Sequence, residues 1–274
     1  MSDPSPPRRA TPAVLALWFA AAFVSTVCGI GGGLYAVPIL HFLLGLELKT
    51  AIATSLPIVM GMTAAGTVAE AVRADSALDW LLVGLLCLGA FVGARLGKSL
   101  VDRLSGKTLR SLFVVLLVGM AIKVFRTPGG LELTRGVLAL QLSFGDMLLV
   151  VLFGFLGGFV APIFGIGGGL IVVPALYLGL SDVDYLTARA CSTAMSTVTS
   201  AQLAWMYWRE GKLDRRAAKS LGLVALFAGV AGVLAVHQTG WDEVARYLLG
   251  ITLVVIAARF AWDLYKASLA ARRA

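Results

Sequence analysis

Residues 29–33 read GIGGG, residues 165–169 read GIGGG again, and each copy runs on into a short apolar stretch containing a proline. Across 29–40 (GIGGGLYAVPIL) and 165–176 (GIGGGLIVVPAL), nine of twelve positions are identical. Glycine permits tight turns and lets a ligand come close to the backbone. A turn that opens a helix also presents unpaired N–H groups and the positive end of the helix dipole, and both attract anions. The chemistry available here is therefore non-covalent capture of a small anion. Its candidate donors are Gly31, Gly32 and Gly33 in one copy and Gly167, Gly168 and Gly169 in the other. Leu34 stands where the dinucleotide pattern G-x-G-x-x-G wants glycine, and no Lys-Ser/Thr follows to make a phosphate-binding P-loop. Close helix packing through small residues is the competing reading of the phrase.

A second polar set follows each copy. TAIATS at 50–55 matches TARACS at 187–192, after a one-residue change of offset. Thr54 and Ser55, with Cys191, Ser192 and Thr193, begin the next segment and carry donors for oxyanion oxygens; the alternative is ordinary capping or back-bonding within a membrane helix. Arg189 either complements the anion or anchors an interface, and Glu70 is a membrane-flanked carboxylate able to carry a proton. His41 and His237 are single and read as structural. Cys28, Cys87 and Cys191 lie in apolar segments without metal-ligand spacing, so neither a disulfide framework nor a zinc site is expected. No nucleophile with its base and no His/Asp cluster is evident, so no enzyme, metal or cofactor is expected.

The segments that must hold these residues are apolar. The chain has 274 residues, 59% hydrophobic and only 14% charged, with a mean hydropathy of +0.89. Soluble proteins average about 45–50% apolar and about 25% charged, so this is read as an integral membrane protein. The net charge of +8 comes from Lys and Arg flanking apolar segments rather than forming an aromatic-interleaved stripe. That distribution fits membrane orientation and anionic lipid, not nucleic acid. The basic, apolar amino terminus has the look of a signal peptide, yet Ala13 to Cys28 aligns with Leu149 to Phe164, so it is kept as part of the fold.

Extending the repeat divides the chain into a tail (1–11), a first half (12–126), a linker (127–144), a second half (145–262) and a tail (263–274). Each half has a long stretch broken by GIGGG, at about 13–44 and 146–180, and three ordinary spans. Those are about 50–72, 78–98 and 109–125, then 187–208, 217–237 and 245–262, each near the length a bilayer core needs. The apolar piece after the first glycines, Leu34 to Leu44, makes only about 16 Å of helix against a core of about 30 Å. Each broken stretch is thus expected to be a hairpin with its glycine tip at membrane depth. Basic residues agree: with hairpins and an inverted second half, 17 of the 23 Lys and Arg fall on one side and 6 on the other. The excess marks the cytoplasm and places both termini there. Counting each broken stretch as one span gives a weaker split of 15 to 8.

The paired glycine phrases, the T-A-x-A-x-S stretch after each and the duplicated four-segment layout resemble the sulfite exporter TauE/SafE family over essentially the whole chain. That resemblance implies an all-α polytopic membrane protein that exports small anions, notably sulfite, sulfonates and other sulfur-containing acids, across the bacterial inner membrane. The expected fold is two homologous inverted repeats, each a glycine-tipped broken helix plus three transmembrane helices. The expected partners are a small anionic substrate and the lipid bilayer, with no nucleic acid; a homodimer is left open. A channel or a structural membrane subunit fits the same composition.

Overall fold

The computed structural model describes residues 10–27, 31–105, 143–180 and 185–236, with residue 183 and scattered positions between 108 and 122 and between 254 and 265. The helices are α1 (Pro12–Val27), α2 (Gly33–Pro38), α3 (Leu48–Ala71), α4 (Trp80–Arg103), α5 (Phe144–Phe164), α6 (Gly169–Gly179), α7 (Tyr185–Arg209) and α8 (Arg215–Val236). No strand forms among the described residues. The fold is all-helical, as expected. The expected spans at about 50–72, 78–98, 187–208 and 217–237 correspond to α3, α4, α7 and α8. Those at 109–125 and 245–262, the linker, both tails, Cys28 and His237 lie wholly or mostly outside the described residues.

Local chemistry sets several helix starts. Asp79 accepts hydrogen bonds from the N–H groups of Leu81 and Leu82 at 2.8 and 2.9 Å, and Asp214 does the same for Arg216 and Ala217, both at 2.9 Å. These are N-caps, which satisfy donors that a helix start leaves unpaired. Ser143 and Asp146 form a capping box at the start of α5. Pro38, which has no N–H to donate, ends α2, and the chain widens at once into a π-helical turn at Ile39–Leu43.

Among the described residues four helices, α3, α4, α5 and α8, are long and apolar enough to cross a membrane. Their outer faces expose Leu88, Val92 and Leu96 on α4, Leu148 and Leu152 on α5, and Leu223, Phe227 and Leu234 on α8. The interior instead buries Ser25, Thr54, Ser55, Thr63, Ser192, Ser196 and Ser200. Water would penalise that arrangement, whereas a hydrocarbon surround requires it, because polar groups must then find partners inside the protein. The chain is a multi-pass membrane protein. Helix α7 has 25 residues, about 37 Å of rise; it is long enough to cross but carries a Ser/Thr-rich face in place of a uniformly apolar one.

Neighbouring residues fix the helix directions. Trp18 donates its indole N–H to the Leu221 carbonyl at 2.8 Å, and Gly232 lies against Phe23 and Thr26, so α1 and α8 run parallel. Gly61 faces Gly222 and Leu226 while Gly66 faces Gly229 and Val233, which makes α3 parallel to α8. Gly89, Gly93 and Gly97 of α4 meet the backbone of Val151, Phe155 and Phe159 in turn, so α4 and α5 are parallel and closely apposed. Small residues at four-residue spacing allow that approach. Helices α4 and α7 are parallel too, joined at Asp79–Cys191, Phe91–Gln202 and Lys98–Glu210. Helices α3 and α7 are antiparallel: Thr67 meets Thr197 and Glu70 meets Arg189.

Two results follow. Since α1 and α3 run the same way, the chain between them must double back, and α2 does so: Gly31 and Gly32 face Val59 and Met62, whereas Val37 lies beside Gly165, next to Ile52 and Ser55. Helices α5 and α6 fold back likewise, with Gly157 against Gly168 and Phe153 against Gly179. In addition, the pairings survive an exchange of halves. The α1–α8 contact answers to α5–α4, α3–α8 to α7–α4, and α2–α3 to α6–α7, around a shared α3–α7 contact.

Candidate functional site

The two glycine turns reach past each other in the middle of the bundle. Gly31, Gly32, Gly167 and Gly168 all have positive φ, at 77°, 71°, 71° and 99°, a backbone region that residues with a Cβ rarely occupy. A Cβ on Gly33 would run into the carbonyl of Gly165, and one on Gly31 would lie 2.9 Å from the Ile166 carbonyl oxygen. The turns therefore touch backbone to backbone. Ser55 ties α3 to the second turn, its one hydroxyl hydrogen shared between the carbonyls of Ile52 at 2.8 Å and Gly165 at 2.9 Å.

The turns differ in their hydrogen bonds. In the first, Gly32 donates to Ser25 Oγ at 2.7 Å and Gly33 donates to the Gly31 carbonyl at 2.8 Å. In the second, Gly168 is the N-cap of helix α6, and its carbonyl accepts from Ile171 at 3.2 Å and Val172 at 3.4 Å.

Other residues singled out by sequence lie elsewhere. Thr54 Oγ1 accepts from the Asp214 N–H at 3.0 Å, and Cys191 Sγ accepts from the Asp79 N–H at 3.3 Å. The two aligned positions do the same work: each fixes the N-cap aspartate of a third helix belonging to the opposite half. Thr193 donates back to the Arg189 carbonyl at 2.8 Å, and Ser192 reaches the Gly169 carbonyl at 3.5 Å. The structure thus brings together Gly31, Gly33, Ser55 and Gly167, with Gly32, Gly168 and Gly169 completing the turns. Thr54, Cys191 and Thr193 are engaged outside them.

Ionic groups sit towards both ends of the bundle. Arg189 and Glu70 are fully buried and bond at 2.7 Å, and Glu70 also accepts from the Ala77 N–H at 3.2 Å. At the opposite end Lys98 joins Asp102 and Glu210, and Lys212 joins the same two acids at 2.9 and 2.8 Å. Burial alone would push the Glu210 carboxylate up, but hydrogen bonds from Lys212 and Lys98 outweigh it and hold it below the usual carboxylate range. That end also gathers Lys49, Arg95, Arg103, Arg209, Arg215, Arg216 and Lys219, because α3 and α8 start there and α4 and α7 finish there.

The sequence profile described as sulfite exporter TauE/SafE matches residues 2–124 and 150–274. The chain belongs to the sulfite exporter TauE/SafE family. Among TauE/SafE relatives, a probable membrane transporter protein of Xylella fastidiosa is 28% identical over 251 residues, covering 88% of this chain and 90% of that protein. One from Haemophilus influenzae, also a probable membrane transporter protein, is 31% identical over 153 residues; the match takes in 55% of either chain, about half the length of that relative. The probable membrane transporter protein YunE of Bacillus subtilis is 29% identical over 104 residues, 38% of this chain and 37% of its own. No solved structure matches.

Sequence reasoning passed over Ser196 and Ser200 of α7. Their hydroxyls are fully buried, face the glycine turns and have no hydrogen-bonding partner among the described residues. The available signal was the run of Ser and Thr through 192–200 in a segment otherwise expected to be an ordinary span.

Proposed function

We propose that this chain is a secondary transporter exporting a small oxyanion, sulfite or an organosulfonate, across the bacterial inner membrane, with the anion bound where the two glycine turns meet. The observation that carries the reading is that contact itself: two positive-φ glycine turns, one from each half, lie against each other inside the bundle. Irregular backbone is tolerated within a bilayer only where protein buries it or a cavity adjoins it, and transporter sites commonly form from broken helices at a repeat interface. The halves are inverted repeats in this reading. Support comes from equivalent helices running in opposite directions, α3 against α7 above all. The end bearing Lys49, Arg103, Arg209 and Lys219 faces the cytoplasm, by the excess of basic residues there. The membrane potential alone favours outward movement of an anion, by about 2.3 kcal/mol per charge per 100 mV.

Proteoliposomes containing the purified chain test the reading. Uptake of labelled sulfite should saturate and should be competed by unlabelled sulfite and sulfoacetate far better than by chloride, a single spherical acceptor that cannot span several donors as separate oxygens do. Flux that rises linearly with sulfite would indicate a channel, and flux equal to that of empty liposomes would remove the transport assignment.

A further inference from the structure

Buried polar side-chain atoms without a partner gather on one helix. Among the described residues five lie on α7: Gln202 Oε1, an acceptor away from the others, and a row made of Arg189 Nε, Ser196 Oγ, Ser200 Oγ and the Tyr207 hydroxyl. The positions of the row stand at i, i+7, i+11 and i+18. At about 100° per residue they fall within about 20° of a single line down the helix, about 27 Å from end to end. Leaving a buried donor unpaired is costly, and native proteins do so rarely, so such groups call for an explanation in function.

Within the row the chemistry is uniform. A guanidinium N–H can only donate, and serine and tyrosine hydroxyls can donate as well. The row suits an oxyanion far better than a cation. Its central pair also faces the glycine turns: Ser196 Oγ lies 3.7 Å from where a Cβ on Gly31 would stand, and Ser200 Oγ 2.8 Å from the same point on Gly167. The other half offers no matching pair. By the TAIATS/TARACS alignment the equivalents are Val59 and Thr63, and Thr63 donates to the Val59 carbonyl at 2.8 Å. Val59 instead places a methyl group against both turns, 3.8 Å from the Gly31 point and 3.0 Å from the Gly167 point. Each end of the row meets an ionic group. Arg189 is held by Glu70, and Lys98 lies over the Tyr207 ring at 5.1 Å.

We propose that Ser196 and Ser200 are the hydroxyl donors that hold a multi-oxygen anion at the glycine turns, and that Arg189 and Tyr207 mark the two ends of its route along α7. The proposal rests on the transport reading above and adds its donors, all from the second half. Val59 supplies an apolar wall opposite them, so the bound group is the oxygen-bearing end of the substrate, sulfite itself or the sulfonate of a larger acid.

Ser196→Ala, Ser200→Ala and the double variant test it in the full-length protein, read by half-saturation for labelled sulfite in proteoliposomes and by the thermal midpoint in detergent. Each single change should raise half-saturation about ten-fold or more, the scale of one hydrogen bond to a charged group, and the double change should raise it further. The thermal midpoint should not fall, because neither hydroxyl has a partner to lose among the described residues. A lowered midpoint would overturn the proposal by showing that the hydroxyls are structural. Normal half-saturation in the double variant would overturn it too, while leaving transport at the turns intact. Absence of saturable sulfite uptake by the unaltered protein is a separate result, and it overturns the transport reading first.

Discussion

Gly32 and Gly168 occupy matching places in the two turns, and both hold positive φ, yet their surroundings differ. A Cβ on Gly32 would meet the flexible end of Met62, which can swing aside; one on Gly168 would lie 2.8 Å from the Gly157 carbonyl oxygen, a backbone atom that cannot. Both substitutions also carry the left-handed backbone penalty, about 1–2 kcal/mol. Gly168→Ala should therefore lower the yield of folded protein and sulfite uptake more than Gly32→Ala, as size-exclusion recovery and proteoliposome assays would register. Equal tolerance of both would favour simple helix packing as the reason for the glycines. At this scale the sequence was only partly informative. The GIGGG turns were legible because glycine spacing is a backbone property. The partners of Thr54 and Cys191 were not, because Asp214 and Asp79 lie 160 and 112 residues away, and nothing local marks a hydroxyl or thiol as one that receives a loop N–H.

Helix α7 organises the interior, and its most exacting contact is with α3. Glu70 and Arg189 are 2% and 1% exposed at their side chains, so neither charge has water to fall back on. Removing one partner of such a pair typically costs about 3–5 kcal/mol, mostly because the remaining charge stays buried. Glu70→Gln should accordingly lower the thermal midpoint sharply, and the Glu70→Gln/Arg189→Gln double variant should recover much of the loss. A midpoint unchanged in the single variant would mean that water reaches the pair. The individual spans were readable from apolar length. Their directions were not, since an apolar run looks the same read up or down. The antiparallel α3–α7 contact emerges only when Thr67, Glu70, Arg189 and Thr197 are placed in space.

For the whole molecule, the consequential proposal is that the halves are inverted. Ser105→Cys after α4 and Arg216→Cys at the start of α8 lie in exposed positions at the basic end, whereas Ala74→Cys occupies the exposed turn between α3 and α4 at the other. In intact bacterial cells a membrane-impermeant maleimide should label Ala74→Cys, and it should reach Ser105→Cys and Arg216→Cys only in inverted vesicles. Labelling of Ser105→Cys and Arg216→Cys from opposite faces would remove the inverted arrangement. The charge asymmetry behind this expectation was visible in the sequence, because basic residues cluster in loops; the physical gathering of four helix ends into one basic rim was not.

The exchange of caps between halves has a consequence in time. Asp79 belongs to a helix made early, and its partner Cys191 is 112 residues further on. At roughly 5–20 residues per second, the ribosome needs roughly 6–22 s to supply it. Within that interval α5 arrives first, to meet Gly89, Gly93 and Gly97, and Cys191 only later. The cap of α4 is therefore complete only when the late half has been made to hold the early one.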